Sequence, residues 1–371
     1  MNVLMVTPHL PPDQAANAIL PDLLGKRLVA RGHRCRFLTF GPGPEREGVF
    51  YVRRRRGGRL RATRIPQALE AAETWIKGSS LVREADIVHI HSNTWMNQVA
   101  ARLALKRNRP YVLTHYGTEI WHHDGRNTRF REMNRAAHHV TFYSEALLER
   151  GRALGVPLRA ASVVYPPVAD AFRPLDPETR ARVRTTHVRG DDALLLLNVK
   201  RLHPLADQAT LLEAMVEVRR ELKDCVLLVA GRGPLEEDLK ARAAELSLGD
   251  TVRFLGLVPN EEVALLQGAA DLFVLSSTLE ATPTVVLEAL AAGTPVLSTD
   301  NPGGLELHGH FQEDVALVPK ASPQQLAQGI LAFARSRRRA SAKTAALVEE
   351  RFREEGVATR YLELYSEAAR G

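Results

Sequence analysis

Two glutamates, Glu280 and Glu288, bracket a stretch that reads as the start of a helix, LEATPTVVLEALAAGTPVLST at 279–299. The pattern predicts Thr284 as the helix N-cap, after Pro283 and just beyond a buried strand. Backbone N–H groups at a helix start bind anions, especially phosphates. The sequence therefore predicts an anion-binding helix start flanked by two carboxylates that can accept hydroxyl groups.

Such a site suits a nucleotide-diphosphate sugar, with the diphosphate at the helix start, the sugar on one glutamate and the ribose on the other. The spacing alone also fits a simpler arrangement, in which Glu280 is solvated and Glu288 pairs with a nearby arginine. The spacing alone favours this simpler arrangement.

Metal ligands are not evident in the sequence. It contains no Asp-x-Asp, and the histidine pairs His122–His123 and His138–His139 are adjacent rather than at metal-ligand spacing. We therefore expect no metal and no other cofactor.

Strand-like and helix-like stretches alternate along the chain, and the strand-like ones are continuous apolar runs. This alternation predicts doubly wound parallel α/β sheets. A proline-rich stretch at 163–177 interrupts it, which predicts two Rossmann-like domains, 1–168 and 169–371, with the final helices able to pack back on the first. Ligands of such sheets bind at the carboxyl ends of the strands, so a cleft between two facing sheets is the expected site. The predicted strands are 2–7, 34–40, 85–91, 111–115 and 139–144, then 193–199, 225–231, 251–256, 271–277 and 295–299.

Composition places the chain among soluble globular proteins, with 371 residues, 45% of them hydrophobic and 25% charged. No apolar run is long enough to span a membrane, and the N-terminal segment lacks the features of a signal peptide. Cys35 and Cys225 each lie in an apolar run, which is typical of reduced, buried thiols. The expected location is cytoplasmic.

The charge is unevenly distributed. Residues 1–175 carry 27 Lys and Arg against 14 Asp and Glu, whereas 176–371 carry 23 against 29. The Arg53–Arg64 run alone holds seven arginines. It fits a solvated loop, or contact with an anionic membrane surface or an acidic acceptor. Nucleic acid is not expected, because no aromatic residues interleave with these arginines.

The glutamate pair and the following EALAAGTPVLST resemble the E-x7-E signature of glycosyltransferase family 4, retaining enzymes with the GT-B fold. The resemblance covers most of the chain. It implies two Rossmann-like domains facing a central cleft, and a hexosyltransferase that moves a sugar from a nucleotide-diphosphate sugar to an acceptor hydroxyl by front-face substitution. The acceptor would be a glycan, a lipid-linked molecule or a small molecule. The other matching stretches, in the family's order, are RGHRCRFLT, DIVHIHS, THYGTE, AGRGPLEEDL, VRFLGLV and GGLEL.

The resemblance also implies roles for individual residues. The first domain would bind the acceptor, and the second the donor. Arg201 matches an arginine that neutralises the leaving diphosphate, and His115 a histidine beside the reacting sugar. The implied catalytic residues are His115, Arg201 and Glu280; the donor-binding residues are Arg201, Gly231, Gly233, Glu280, Thr282, Thr284, Val285 and Glu288; the acceptor-side residues are Gln14, Asn17 and Glu119.

The sequence departs from the family pattern at several places. Ala206 and Asp207 replace a Lys-Gly pair, so the second cation of the diphosphate site is missing from its usual position. Lys200 or His203 could substitute, although neighbouring strand residues point to opposite faces. The first loop has no glycine pair, and two prolines stand where the linker usually has Asn-Gly. These departures keep two alternatives open: another GT-B enzyme, such as an epimerase or a sugar-phosphate synthase, and a catalytically weak sugar-nucleotide-binding protein.

Overall fold

The structure, a computed structural model, describes residues 1–13, 15–55, 65–190 and 192–370. The chain divides into two compact units, Met1–Pro166 with Glu354–Gly371, and Pro167–Arg353. We call them the first and the second domain. Within the described residues, the helices and strands up to the division are β1 (Asn2–Val6), α1 (Ala16–Ala30), β2 (Arg34–Gly41), β3 (Val49–Arg53), α2 (Ile65–Glu84), β4 (Ile87–His91), α3 (Trp95–Lys106), β5 (Tyr111–His115), α4 (Thr118–Trp121), α5 (Thr128–Ala136), β6 (His139–Phe142), α6 (Glu145–Ala153) and β7 (Ala161–Val163).

The described part of the second domain has eight helices longer than one turn. Its helices and strands are α7 (Pro177–Thr185), β8 (Leu194–Val199), α8 (Gln208–Glu221), β9 (Cys225–Ala230), α9 (Glu236–Glu245), β10 (Val252–Gly256), α10 (Asn260–Ala269), β11 (Leu272–Leu275), α11 (Thr284–Ala291), β12 (Val296–Thr299), α12 (Pro302–Phe311), β13 (Val315–Val318), α13 (Pro323–Ser336) and α14 (Ala342–Arg351). The last helix, α15 (Glu354–Arg370), belongs to the first domain.

Each domain is built on a sheet in which all strands are parallel. The strand orders are β3-β2-β1-β4-β5-β6-β7 and β10-β9-β8-β11-β12-β13. In both sheets the order reverses at the first strand of the domain, as in doubly wound folds. The predicted fold class is confirmed for each domain.

The strands β3, β7 and β13 are absent from the sequence prediction. They hold five, three and four residues, and each lies at an edge of its sheet. An edge strand is covered on fewer sides, so it lacks the long apolar run by which the central strands were predicted.

The last helix, α15, packs in the first domain; the prediction of a second domain at 169–371 allowed the final helices to pack there. The Tyr365 hydroxyl lies 2.6 Å from His89 Nδ1, and the Tyr361 hydroxyl lies 3.2 Å from both Thr114 Oγ1 and Thr141 Oγ1. All five side chains are fully buried. Because α15 fills the core of the first domain, the second domain ends at Arg353.

Candidate functional site

The predicted donor residues lie at one edge of the second sheet. Lys200 and Arg201 directly follow β8, and the loop carrying Glu280 follows β11. These two strands are neighbours at the point where the strand order reverses. Ligands of doubly wound sheets bind outside the carboxyl ends of the strands at such a switch point.

The loop after β11 is held by its neighbours. The Thr278 N–H donates to the Leu205 carbonyl at 2.8 Å, and the Ser276 hydroxyl donates to the Ala206 carbonyl at 2.8 Å. The Gly303 N–H donates to the Glu280 carbonyl at 3.0 Å. The backbone of Glu280 is therefore fixed from two sides.

The Glu280 side chain is largely buried, with 13% of it exposed, and it forms an ion pair with Lys200. Glu280 Oε1 lies 2.6 Å from Lys200 Nζ. The interpretation in which Glu280 is a solvated residue is wrong, because the fold encloses it beside a cation. From the sequence, Lys200 is one of two residues that could replace the missing lysine. The sequence does not show that Lys200 pairs with Glu280.

Helix α11 begins at Thr284, with Pro283 in the N-cap position. The prediction of Thr284 as the N-cap is wrong by one residue, because Thr284 already has helical backbone geometry. Pro283 makes no side-chain hydrogen bond that caps this helix start. The first backbone N–H groups of α11, including those of Thr284 and Val285, have no partner inside the helix and can bind an anion.

Glu288 lies in the second turn of α11 and is partly buried. Burial raises the pKa of its carboxyl to about 7, and the positive charge of Lys200 opposes this shift. Lys200 therefore acts electrostatically on both glutamates of the signature. The unliganded site contains one carboxyl that is ionised only partly at neutral pH.

We expect Glu288→Gln to change how stability depends on pH. Between pH 4.5 and about 7 the folded carboxyl keeps a proton that the unfolded chain releases, so the wild type loses stability as pH rises through this range. The full loss is on the order of 3 kcal/mol at most, at about 1.4 kcal/mol per pH unit. Gln carries no charge, so the variant lacks this loss. The unfolding free energy of the variant minus that of wild type should therefore be higher at pH 8 than at pH 5.

Urea denaturation of both proteins at pH 5 and pH 8 measures this difference. Glu237→Gln is the matched control, because the Glu237 side chain is 87% exposed. An identical difference in unfolding free energy at both pH values for Glu288→Gln would contradict the raised pKa.

The turn at Gly231 and Gly233 follows β9 and packs on the segment that carries Lys200 and Arg201. Gly231 has φ +135°, and its N–H donates to the Gly256 carbonyl at 2.7 Å. A Cβ atom at position 231 would overlap the Lys200 carbonyl, and one at 233 would overlap the Leu202 carbonyl. The glycines let two backbone segments meet closely at the edge of the sheet.

The departure at 206–207 has a clear structural form. Pro204–Ala206 is one turn of 3₁₀ helix, and Ala206 is buried. Asp207 follows with φ +46°, a left-handed conformation that Asp tolerates better than most residues, and its carboxylate accepts a bond from the Thr210 hydroxyl at 2.8 Å. This segment therefore presents no cation to the site.

In the first domain, His115 ends β5 and its side chain is fully buried. Nε2 lies 2.8 Å from Asn134 Oδ1, while the Asn134 amide nitrogen donates to the Phe130 carbonyl. Nε2 thus donates to Asn134 Oδ1, and Nδ1 has no hydrogen-bond partner among the described residues. The prediction that His115 lies beside the reacting sugar stays a prediction.

Glu119 lies next to His115, with Oε1 3.8 Å from His115 Nδ1. Its carboxylate accepts bonds from the backbone N–H groups of Tyr116 at 2.7 Å and Gly117 at 3.3 Å. Burial would raise the pKa of Glu119, but His115 and the backbone donors hold it below its usual value. Glu119 therefore fixes the loop after β5.

Asn17 lies in the first turn of α1, and the Thr7 hydroxyl at the end of β1 donates to its carbonyl. The Asn17 Oδ1 atom is buried and has no partner among the described residues. An unpaired buried oxygen costs free energy unless a donor reaches it. The predicted acceptor-side role of Asn17 stays a prediction. Gln14 lies outside the described residues.

The Arg53–Arg64 run is described only in part. Arg53 ends β3, Arg54 and Arg55 follow it, and 56–64 lie outside the described residues. The adjoining helix α2 has an exposed apolar face, formed by Ile65, Leu69 and Ile76, the last with 73% of its surface exposed. Sequence analysis missed this face, whose helical spacing is the signal that could have revealed it.

Two global features complete the description. The residues that the structure describes contain no group of three or more His, Cys, Asp or Glu able to hold a metal ion. None of the described helices combines the length and the apolar character that a membrane crossing needs.

Two family models match the chain. The model described as Glycosyltransferase Family 4 matches residues 22–172, and the model described as Glycosyl transferases group 1 matches residues 180–348. The first match lies within the first domain apart from its last six residues, and the second match lies entirely within the second domain.

Curated relatives agree with the family models. The GDP-mannose-dependent alpha-(1-6)-phosphatidylinositol monomannoside mannosyltransferase of Mycobacterium tuberculosis H37Rv is 28% identical over 93% of this chain and 92% of its own. The protein of the same description from Mycolicibacterium smegmatis is 32% identical, over 48% of each chain. The chain thus spans about half of one relative and nearly all of the other.

Solved structures show the same fold. HepE from Anabaena in complex with UDP superposes with a TM-score of 0.79 at 20% identity, over 99% of this chain and all of that one. At this identity the likeness establishes the fold alone, and the predicted GT-B fold is confirmed.

Proposed function

Because the chain belongs to glycosyltransferase family 4, we propose that it transfers a sugar from a nucleotide-diphosphate sugar to an acceptor hydroxyl with retention of anomeric configuration. The observation that carries this proposal is the cluster of Lys200, Glu280 and Glu288 beside the start of α11. A helix start binds a diphosphate, and carboxylates bind sugar hydroxyls.

The chemistry follows from where charge develops. Breaking the bond between the anomeric carbon and the diphosphate leaves additional negative charge on the diphosphate. Arg201 is exposed beside the site, and no ion pair with a described residue holds its guanidinium. A positioned cation and the N–H groups of α11 would stabilise this charge as it develops. The acceptor hydroxyl would attack from the same face and give its proton to an oxygen of the departing diphosphate, so that configuration is retained.

A donor panel tests the proposal. UDP-, GDP- and ADP-sugars are compared by thermal shift, and the donor with the largest shift is then assayed for release of nucleoside diphosphate. We expect the sugars of one of these nucleotides to stabilise the protein and to be turned over. The anomeric coupling of the product, measured by NMR, should match that of the donor. Binding without turnover would favour the sugar-nucleotide-binding alternative, and an inverted product would overturn retention.

We also propose that the donor reaction needs no metal ion. The support is that Lys200 and Arg201 supply positive charge beside the helix start. Excess EDTA should leave the release rate within about twofold of the untreated rate, since no divalent cation would carry the diphosphate. Complete loss with EDTA, restored by Mg²⁺ or Mn²⁺, would contradict this prediction.

For the acceptor, we propose a lipid-linked or lipid-proximal molecule, reached when the first domain docks on an anionic membrane. The exposed apolar face of α2 lies beside Arg53, Arg55 and Lys77. Apolar side chains flanked by cations are typical of interfacial helices. The Mycobacterium tuberculosis relative is described as acting on a phosphatidylinositol mannoside, which agrees with a lipid acceptor.

Co-sedimentation with vesicles tests the docking. Binding to vesicles with anionic lipid should exceed binding to neutral vesicles and should weaken with added salt, because each basic residue near the surface contributes about 1 kcal/mol. Ile76→Asp should reduce binding several-fold. Leu257→Asp is the control, since Leu257 is comparably exposed in the second domain, at 64%. Equal binding to both kinds of vesicle would reject the membrane proposal.

A further inference from the structure

The Lys200 side chain lies in the predicted donor site, which could not be inferred from the sequence. The Lys200 backbone N–H donates to the Ala230 carbonyl at 2.9 Å, which extends the β8–β9 pairing by one residue, and Gly231 packs against the Lys200 carbonyl. The main chain is therefore fixed, and the side chain reaches across to Glu280 on the loop after β11.

We propose that Lys200 is the second cation of the diphosphate site, and that its ammonium exchanges partners when the donor binds. In the unliganded protein the ammonium pairs with Glu280. With donor present it pairs with the diphosphate, and the released Glu280 carboxylate accepts the sugar hydroxyls. This inference rests on the proposed function.

The charge balance of the site calls for a second cation. A nucleotide-diphosphate sugar brings about two negative charges to a site that already holds Glu280 and the partly ionised Glu288. Arg201 alone cannot neutralise them. Lys200 is held in the site by its contact with Glu280. Without Lys200, the diphosphate would approach a carboxylate that has no cation beside it.

The other candidate positions offer no comparable cation. Position 206, where the family pattern has lysine, holds a buried alanine. At His203, ring Nδ1 accepts a bond from the Leu205 N–H at 3.4 Å, so this nitrogen is engaged within its own turn. Of the two substitutes that the sequence left open, the geometry favours Lys200.

The Lys200 ammonium can leave Glu280 at modest cost. The Lys200 side chain is 26% exposed, so water screens the pair. Exchanging that pair for one with a doubly charged diphosphate is favourable, since the Coulomb attraction grows with the charge. Lysine suits such an exchange, because its flexible stem carries a compact charge that needs no fixed geometry.

Calorimetric titration of variants with sugar-free nucleotides tests the proposal. UDP and GDP are the probes, with UMP and GMP as references that lack the second phosphate. We expect Lys200→Met to weaken binding of the preferred diphosphate at least about tenfold, which corresponds to about 1.4 kcal/mol. Binding of the monophosphate should change by no more than about twofold, and Lys200→Arg should keep most of the diphosphate affinity.

The control is Lys223→Met, the same charge change at an exposed residue before the amino end of β9 in the same domain. It should leave both affinities unchanged. If Lys200 only positions Glu280, Lys200→Met will weaken the nucleotide sugar but not UDP or GDP, and the proposal is overturned. Wild type that binds no nucleotide would instead refute the proposed function itself. Retained monophosphate binding shows that the variant is folded.

Discussion

Arg201→Ala is expected to lower the rate of donor turnover by about 100-fold or more, because removing one preorganised charged group from a transition-state site typically costs this much. Its melting temperature should stay close to that of wild type, since Arg201 is exposed and its guanidinium has no ion pair among the described residues. Glu280→Ala should show a similar loss of rate, because the sugar hydroxyls lose their acceptor.

Initial rates of nucleoside-diphosphate release, measured together with thermal melts, test both variants. Arg220→Ala is the matched control, because Arg220 is an exposed arginine of the same domain, with 73% of its side chain exposed. It should keep a rate within about twofold of wild type. Near-normal turnover in Arg201→Ala or Glu280→Ala would remove that residue from the site.

Gly233→Ala is expected to destabilise the second domain and to abolish most of the activity. Its new Cβ would overlap the carbonyl of Leu202, and the clash is with backbone rather than with the end of a flexible side chain. Forcing an extra methyl group into a packed contact costs about 1–3 kcal/mol, and more where the backbone must shift. Because Leu202 directly follows Arg201, such a shift also displaces the predicted catalytic arginine.

Urea denaturation and donor turnover measure the two effects. Gly309→Ala provides the control, since a Cβ at this position of α12 meets no atom within 4 Å. Alanine there should stabilise the helix by about 0.5–1 kcal/mol and leave turnover unchanged. A Gly233→Ala protein as stable and as active as wild type would show that this turn does not constrain the site.

The central strands were predictable because each is an uninterrupted apolar run covered on both faces, as in Leu194–Val199, where five of the six residues are fully buried. The edge strands Val49–Arg53 and Val315–Val318 carry exposed positions and therefore resemble loops. The sequence prediction allowed the final helices to pack back on the first domain, but the partners of α15 could not be predicted. Its tyrosines are partnered by residues more than 200 positions away in sequence.

For the site, the spacing of the two glutamates predicted a helix start between them, and the structure has it within one residue. What the spacing could not show was the pairing of Glu280 with Lys200 or the enclosure of Glu288. Both depend on which side chains the folded sheet brings together from separate loops. Strand alternation argued against Lys200, but Lys200 lies just past the end of β8, where alternation no longer fixes side-chain direction.

The central claim is that the carboxyl edge of the second sheet binds the nucleotide sugar. The most direct test is a crystal structure of the protein with the donor selected by the thermal-shift panel. We predict the diphosphate at the start of α11, within about 3 Å of the Arg201 and Lys200 nitrogens, as in charge-assisted hydrogen bonds. Sugar hydroxyls should contact Glu280, and the ribose Glu288. A nucleotide bound elsewhere, or Glu280 still paired with Lys200 and without contact to the sugar, would contradict this account.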